Sequence, residues 1–168
     1  MLISRKHLLL VFMLVCSLAA TAADAKDVVG WLEYVKLFPG GLDIKAKLDS
    51  GAKTSSLHCQ CITPIKRGDE DWVSFSVHNA KGETIRLEKP IRRIARIKQH
   101  SGESQKRYVI SLGICLGNVY REDEVTLVDR SGFNYPMLIG RNFLKGDFLI
   151  DPGQTYKSKA SCKVPPEK

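Results

Sequence analysis

Leu48-Asp49-Ser50-Gly51-Ala52 decides how this chain is read. It ends a run in which Leu42, Ile44, Ala46 and Leu48 face one way and Asp43, Lys45 and Lys47 the other, the period-two signature of a half-buried strand. Asp49 therefore stands where a strand leaves the core. Gly51 lets a second backbone approach, Ala52 leaves room for it, and Ser50 offers a hydroxyl to a neighbouring turn. The plain alternative is that Asp-Ser-Gly only shapes a bend, because short polar side chains satisfy turn amides. Far downstream lies a second phrase, Met137-Leu138-Ile139-Gly140-Arg141-Asn142-Phe143-Leu144. It reads as a buried apolar strand running into a short helix over Arg141 to Lys145, stopped by Gly146.

The rest of the chain reads as strands. Val28 to Leu37 alternates loosely before the turn Phe38-Pro39-Gly40-Gly41. Thr54 to Ile65 reads as one strand after the Asp49 turn, and Arg67 to Asp71 as a polar loop. Trp72 to His78 and Glu83 to Leu87 flank the turn Asn79-Ala80-Lys81-Gly82, a hairpin pattern. Ile91 to Ile97, Tyr108 to Leu116, Val119 to Val128 and Tyr135 to Ile139 follow, and Phe148 to Ile150 is a last strand ended by Pro152-Gly153. Many short strands separated by regular turns predict an all-β barrel or sandwich. The tail from Thr155 is polar and Pro-rich, and is expected to fray unless Cys162 is bridged.

The first residues read as export machinery. A basic start (Arg5, Lys6, His7) precedes an apolar run from Leu8 to Leu18 and small residues at signal-peptidase spacing. Residues 1–25 are read as a cleaved signal peptide, 26–154 as the domain and 155–168 as a tail. An uncleaved anchor is the alternative, and the only expected membrane contact. Export implies a periplasmic or secreted protein. The mature chain, roughly 145 residues, is long enough for one core. The formal charge is +8, falling to +6 once Arg5 and Lys6 leave. Such a surface attracts acidic partners, or is merely solvated. Export argues against nucleic acid.

Four cysteines remain in the mature chain, Cys59, Cys61, Cys115 and Cys162, and an oxidising compartment permits two disulfides in three connectivities. A bridge between Cys59 and Cys61 would need an unusually tight loop, so at least one longer bridge is expected, with Cys162 a candidate to tie the tail back. His58-Cys59-x-Cys61 lacks a matching downstream pair at zinc-ligand spacing.

Leu48-Asp49-Ser50-Gly51-Ala52 resembles the active-site turn of retropepsin-like aspartic proteases, and Leu138 to Leu144 resembles the strand and helix that close the same fold. The longer phrases Asp49 to His58 and Tyr135 to Arg141 are similar to a bacterial branch often labelled "ATP-dependent zinc protease". The resemblance covers most of residues 28 to 152. It implies an all-β closed barrel of the acid-protease type, with one short helix near the C-terminus.

The label is not supported by these residues. Gly51-Ala52-Lys53-Thr54 lacks the spacing of a phosphate loop, and no His-Glu-x-x-His is present. No cofactor or metal is expected. The resemblance implies instead a homodimer in which Asp49 from two subunits forms a dyad sharing one proton, because adjacent carboxylates do not readily both ionise. Ser50 would reach across to the other turn, and Gly51 would complete the catalytic triplet. Ala52, Ile139, Gly140 and Asn142 are the structural motif.

Lys53 stands where the retroviral pattern is typically acidic. It and Arg141 would suit an acidic peptide, in keeping with the branch's link to glutamate-ligase-like enzymes. The plain readings are a solvated turn lysine and an arginine bracing the turns from behind. The flap is expected at Lys81-Gly82 or Ser101-Gly102. The rival function is a non-catalytic peptide- or envelope-binding module on the same barrel.

Overall fold

A computed structural model describes residues 25–98 and 104–165. The expected export signal lies outside the described residues. Within them the chain is nearly all β. The strands are β1 (Asp27–Phe38), β2 (Leu42–Asp49), β3 (Ser55–His58), β4 (Gln60–Arg67), β5 (Glu70–His78), β6 (Thr84–Pro90), β7 (Arg93–Lys98), β8 (Ser104–Leu116), β9 (Val119–Val128), β10 (Met137–Gly140) and β11 (Phe148–Thr155). One short helix, α1 (Arg141–Leu144), follows β10.

Eight strands form one sheet in the order β11-β1-β2-β10-β3-β9-β8-β7. The end of β1 also pairs with β8, through Lys36 opposite Cys115, Leu37 opposite Ile114 and Phe38 opposite Gly113. Strands β1, β2, β10, β3, β9 and β8 thus follow one another around a ring. Strands β4, β5 and β6 make a separate three-stranded sheet.

The alternation read in Leu42 to Leu48 is the reason β2 sits where it does. Leu42, Ile44, Ala46 and Leu48 are buried, and the intervening residues are partly exposed. They meet Val35 and Leu37 of β1, Leu57 of β3, Ile110, Leu112 and Ile114 of β8, and Met137 and Ile139 of β10 in one apolar core. Phe143 of α1 is buried in the same core.

Three sequence expectations are corrected. The run Thr54 to Ile65 is two strands in two sheets. It breaks at buried Cys59, and Cys61 takes a φ of 53° beside a register irregularity between Gln60 and Thr63. The expected polar loop Arg67 to Asp71 shrinks to a tight turn at Gly68-Asp69, because Arg67 and Glu70 already pair across the hairpin. Pro152-Gly153 does not end the last strand. β11 bulges there and continues to Thr155 opposite Leu32. Gly30 permits this, since a Cβ on it would stand 2.5 Å from the Gln154 carbonyl oxygen.

The tail is fastened in two places. Glu33, fully buried, accepts backbone N–H bonds from Gly30, Lys157 and Ser158 at 2.7, 3.0 and 3.1 Å. A disulfide joins Cys162 to Cys115 on β8. Cys59 and Cys61 are free. Burial pushes the Cys59 thiol up to about 12, so it is an inert packing group.

Candidate active site

Asp49 ends β2 with its side chain 28% exposed, and Ser50 and Gly51 beyond it are exposed. Its Oδ1 accepts the Gly51 N–H at 2.9 Å, and the Ala52 N–H reaches the Asp49 carbonyl at 3.3 Å. The turn is tight and its carboxylate is held at the surface. Lys47, two residues back on the same face, brings its Nζ to 3.7 Å of Oδ2.

What fixes this turn is the second sequence phrase. β10 lies parallel to β2 with Ile139 opposite Leu48 and Gly140 opposite Asp49. The chain then enters α1, whose first N–H groups have no partners within the helix. The N–H of Arg141 donates to Ala52 O at 2.9 Å and that of Asn142 to Lys53 O at 3.1 Å. The Arg141 guanidinium donates to Ser50 O and Gly51 O, both at 3.0 Å. Four consecutive carbonyls, from Ser50 to Lys53, are therefore engaged by two residues of α1. A turn pinned at every peptide holds its carboxylate in one orientation, the condition a reacting group needs.

Behind the turn, the Gly140 N–H donates to Ser55 Oγ at 3.1 Å, and the Ser55 hydroxyl donates to Asp123 Oδ2 at 3.0 Å. Burial raises the Asp123 pKa, and the Ser55 hydrogen bond works against that rise. Thr126 donates from its hydroxyl to Ser55 O at 3.1 Å, which ties β9 to β3.

Each sequence-predicted residue is thereby located. Asp49, Ser50, Gly51, Ala52 and Lys53 form one turn, and Ile139, Gly140, Arg141 and Asn142 form its buttress. The Arg141 side chain is spent on turn carbonyls. Lys53 is exposed and lines a shallow cleft with β7. That strand leads to the Ser101-Gly102 turn, which lies outside the described residues. The other flap candidate is corrected. The Lys81-Gly82 turn sits beside the beginning of β2, where Asn79 Nδ2 donates to Asp43 O. Asp43 and Asp49 are separated by six strand residues, about 20 Å.

Sequence reasoning missed a basic flank. Arg130 is 9% exposed and donates from NH1 to Ser56 Oγ at 2.9 Å and from Nε to Tyr135 O at 3.2 Å. Burial holds its pKa below the usual arginine range and nearby Arg107 lowers it further, while Asp49 acts in the opposite direction. No local signal marks Arg130, because Ser56, which takes its NH1 bond, lies 74 positions away, and only Tyr135 of its own loop is near in sequence. Lys47 was readable, since period two puts it on the face of Asp49. Among the described residues, no group of three or more His, Cys, Asp or Glu could hold a metal ion.

Comparison with known proteins agrees with this geometry. Residues 28–161 match the model of a RimB-like family described as "Retropepsin-like aspartic endopeptidase RimB". A probable alpha-L-glutamate ligase of Shewanella pealeana is 41% identical over 139 residues, which span 80% of this chain and 30% of that protein. A protein of the same description from Parasynechococcus marenigrum is 40% identical over 136 residues, spanning 79% of this chain and 29% of that protein. The chain thus spans under a third of the length of these curated relatives. A crystal structure of a Legionella pneumophila protein of unknown function superposes with a TM-score of 0.68 at 32% identity, covering 80% of this chain and 100% of that one.

Proposed function

This chain belongs to the RimB-like family of retropepsin-like aspartic endopeptidases, and from that premise we propose that it is an exported aspartic endopeptidase acting as a homodimer. The ring of six paired strands then serves as the barrel of one acid-protease subunit. One observation carries the reading. Asp49 stands partly exposed on a turn whose four following carbonyls are all fixed by Arg141 and Asn142.

In the dimer, two copies of Asp49 face each other across a two-fold axis and share one proton. The ionised carboxylate takes a proton from water, whose oxygen attacks the peptide carbonyl carbon. The protonated carboxylate donates to the carbonyl oxygen as it gains charge. Return of a proton to the amide nitrogen lets the C–N bond break. Ser50 reaches toward the partner turn and steadies the pair.

Lys47, Lys53 and Arg130 make the surroundings of Asp49 basic, which supports an acidic peptide as substrate. The glutamate-ligase names of the relatives fit a substrate rich in glutamate. One observation favours a second reading. In those relatives the matched segment is a minor part of a longer protein, as an accessory peptide-binding module would be.

The test is hydrolysis of glutamate-rich peptides by wild type and by Asp49→Asn, an isosteric change that removes the negative charge. Activity is expected to fall by at least about 100-fold with the fold intact by circular dichroism. Undiminished cleavage would remove Asp49 from the mechanism. Peptide binding without any cleavage by wild type would favour the binding module.

A further inference from the structure

We propose that the cleft at the far end of β2 is a second binding site, which anchors the acidic stretch of a peptide whose scissile bond lies at Asp49. This rests on the reading of Asp49 as the reacting carboxylate. The cleft measures about 580 Å³. Its floor is Tyr34 stacked on Tyr156, ring centroids 5.0 Å apart, with Lys45 Nζ 5.6 Å from the Tyr156 ring centre. Lys81 enters from the β5–β6 turn and Lys159 from the tail. The one carboxylate on the wall, Asp43, is paired with Lys36 at 2.8 Å. Among the described residues Lys45, Lys81 and Lys159 form no ion pair. Ser158 lines the same cleft with a buried hydroxyl that has no hydrogen-bond partner among the described residues.

The wall is built, not incidental. Tyr156, Ser158 and Lys159 belong to the tail, which Glu33 and the Cys115–Cys162 bridge fasten in place. Three ammonium groups without a carboxylate partner around an aromatic floor suit carboxylates carried on a chain with methylene stems, as in a run of acidic residues.

Continuity with Asp49 selects a peptide. Lys45, Lys47 and Asp49 occupy one face of β2 at every second position. Lys45 lies about 13 Å from Asp49 along the strand, the reach of four extended residues. Alternate side chains of an extended peptide recur at about 7 Å, the step from Lys45 to Lys47. A peptide cleaved at Asp49 therefore lays its carboxylates on Lys47, then on the cleft.

The probes are fluorescein-labelled tetraglutamate and decaglutamate, with binding read by fluorescence anisotropy on the full mature chain. Wild type is expected to bind the decamer at least tenfold more tightly than the tetramer. Lys45→Glu/Lys159→Glu removes that difference, while Lys163→Glu, also on the tail but outside the cleft, retains it. Asp49→Asn retains it as well, so this result is separable from the catalytic one. If the double variant keeps the length preference, or wild type lacks it, the site is wrong. If polygalacturonate competes with decaglutamate at lower carboxylate concentration than unlabelled decaglutamate does, the cleft prefers an anionic polysaccharide and the peptide assignment is overturned. Loss of cleavage with retained length preference would sink the peptidase reading and leave the cleft standing.

Discussion

Gly140 supports the candidate site without touching any chemistry. A Cβ there would meet the Thr54 carbonyl carbon at 2.6 Å, its oxygen at 2.8 Å and the Lys53 oxygen at 3.0 Å. All three are backbone atoms of the Asp49 turn's exit, so none can swing aside. Its φ of −85° is open to any residue, so the requirement is space and not conformation. Gly140→Ala is expected to destabilise the fold by about 1–3 kcal/mol, the usual cost of forcing a methyl into filled space. It should also impair cleavage more than stability, because the displaced atoms belong to the turn that aims Asp49. Denaturant unfolding and peptide cleavage on the same preparation check both. An unchanged unfolding midpoint would show that the strands separate freely at this point. The glycine was legible in the sequence as part of a motif. Arg130 was not, because Ser56 and His58 reach it from β3, more than seventy positions away, and only Tyr135 comes from its own loop.

The short helix and the tail do work that their lengths conceal. α1 is a single turn with no side-chain cap, yet its N-terminal N–H groups close on the turn after β2. The helix was readable from Arg141 to Lys145 with Gly146 as its stop. Its purpose was not, since the carbonyls it engages lie some ninety residues earlier. The tail, a polar segment in sequence, becomes a strap. Its bridge closes a span of 47 residues, and removing such a cross-link costs about 4 kcal/mol through the entropy regained by the unfolded chain. Cys115→Ser/Cys162→Ser is therefore expected to lower the unfolding midpoint, and dithiothreitol should lower wild type to the same value. A midpoint insensitive to both would mean that the contacts of Glu33 alone hold the tail.

A single chain presents one Asp49, and dyad chemistry needs two. Activity should therefore follow the concentration of dimer. Mixing wild type with a tenfold excess of Asp49→Asn, after exchange of subunits, is expected to reduce cleavage to roughly a tenth, because most wild-type chains are then paired with an inactive partner. Activity that merely adds, unaffected by the excess, would show that each chain works alone. Ser50, Gly51 and Lys53 of the turn are exposed, and in the proposed dimer Ser50-Gly51 is the part that would meet its copy.

The alternation from Leu42 to Leu48 set β2 and its inward face, and the Asp49 and Gly140 phrases marked the candidate site. These are local properties, written in periodicity and in the conformational limits of small residues. The break at Cys59, the continuation of β11 through Pro152-Gly153 and the cleft between Lys45 and the tail were settled only by folding. Each depends on which strand lies alongside, and the sequence of a strand carries the spacing of its own side chains but not the identity of its neighbour.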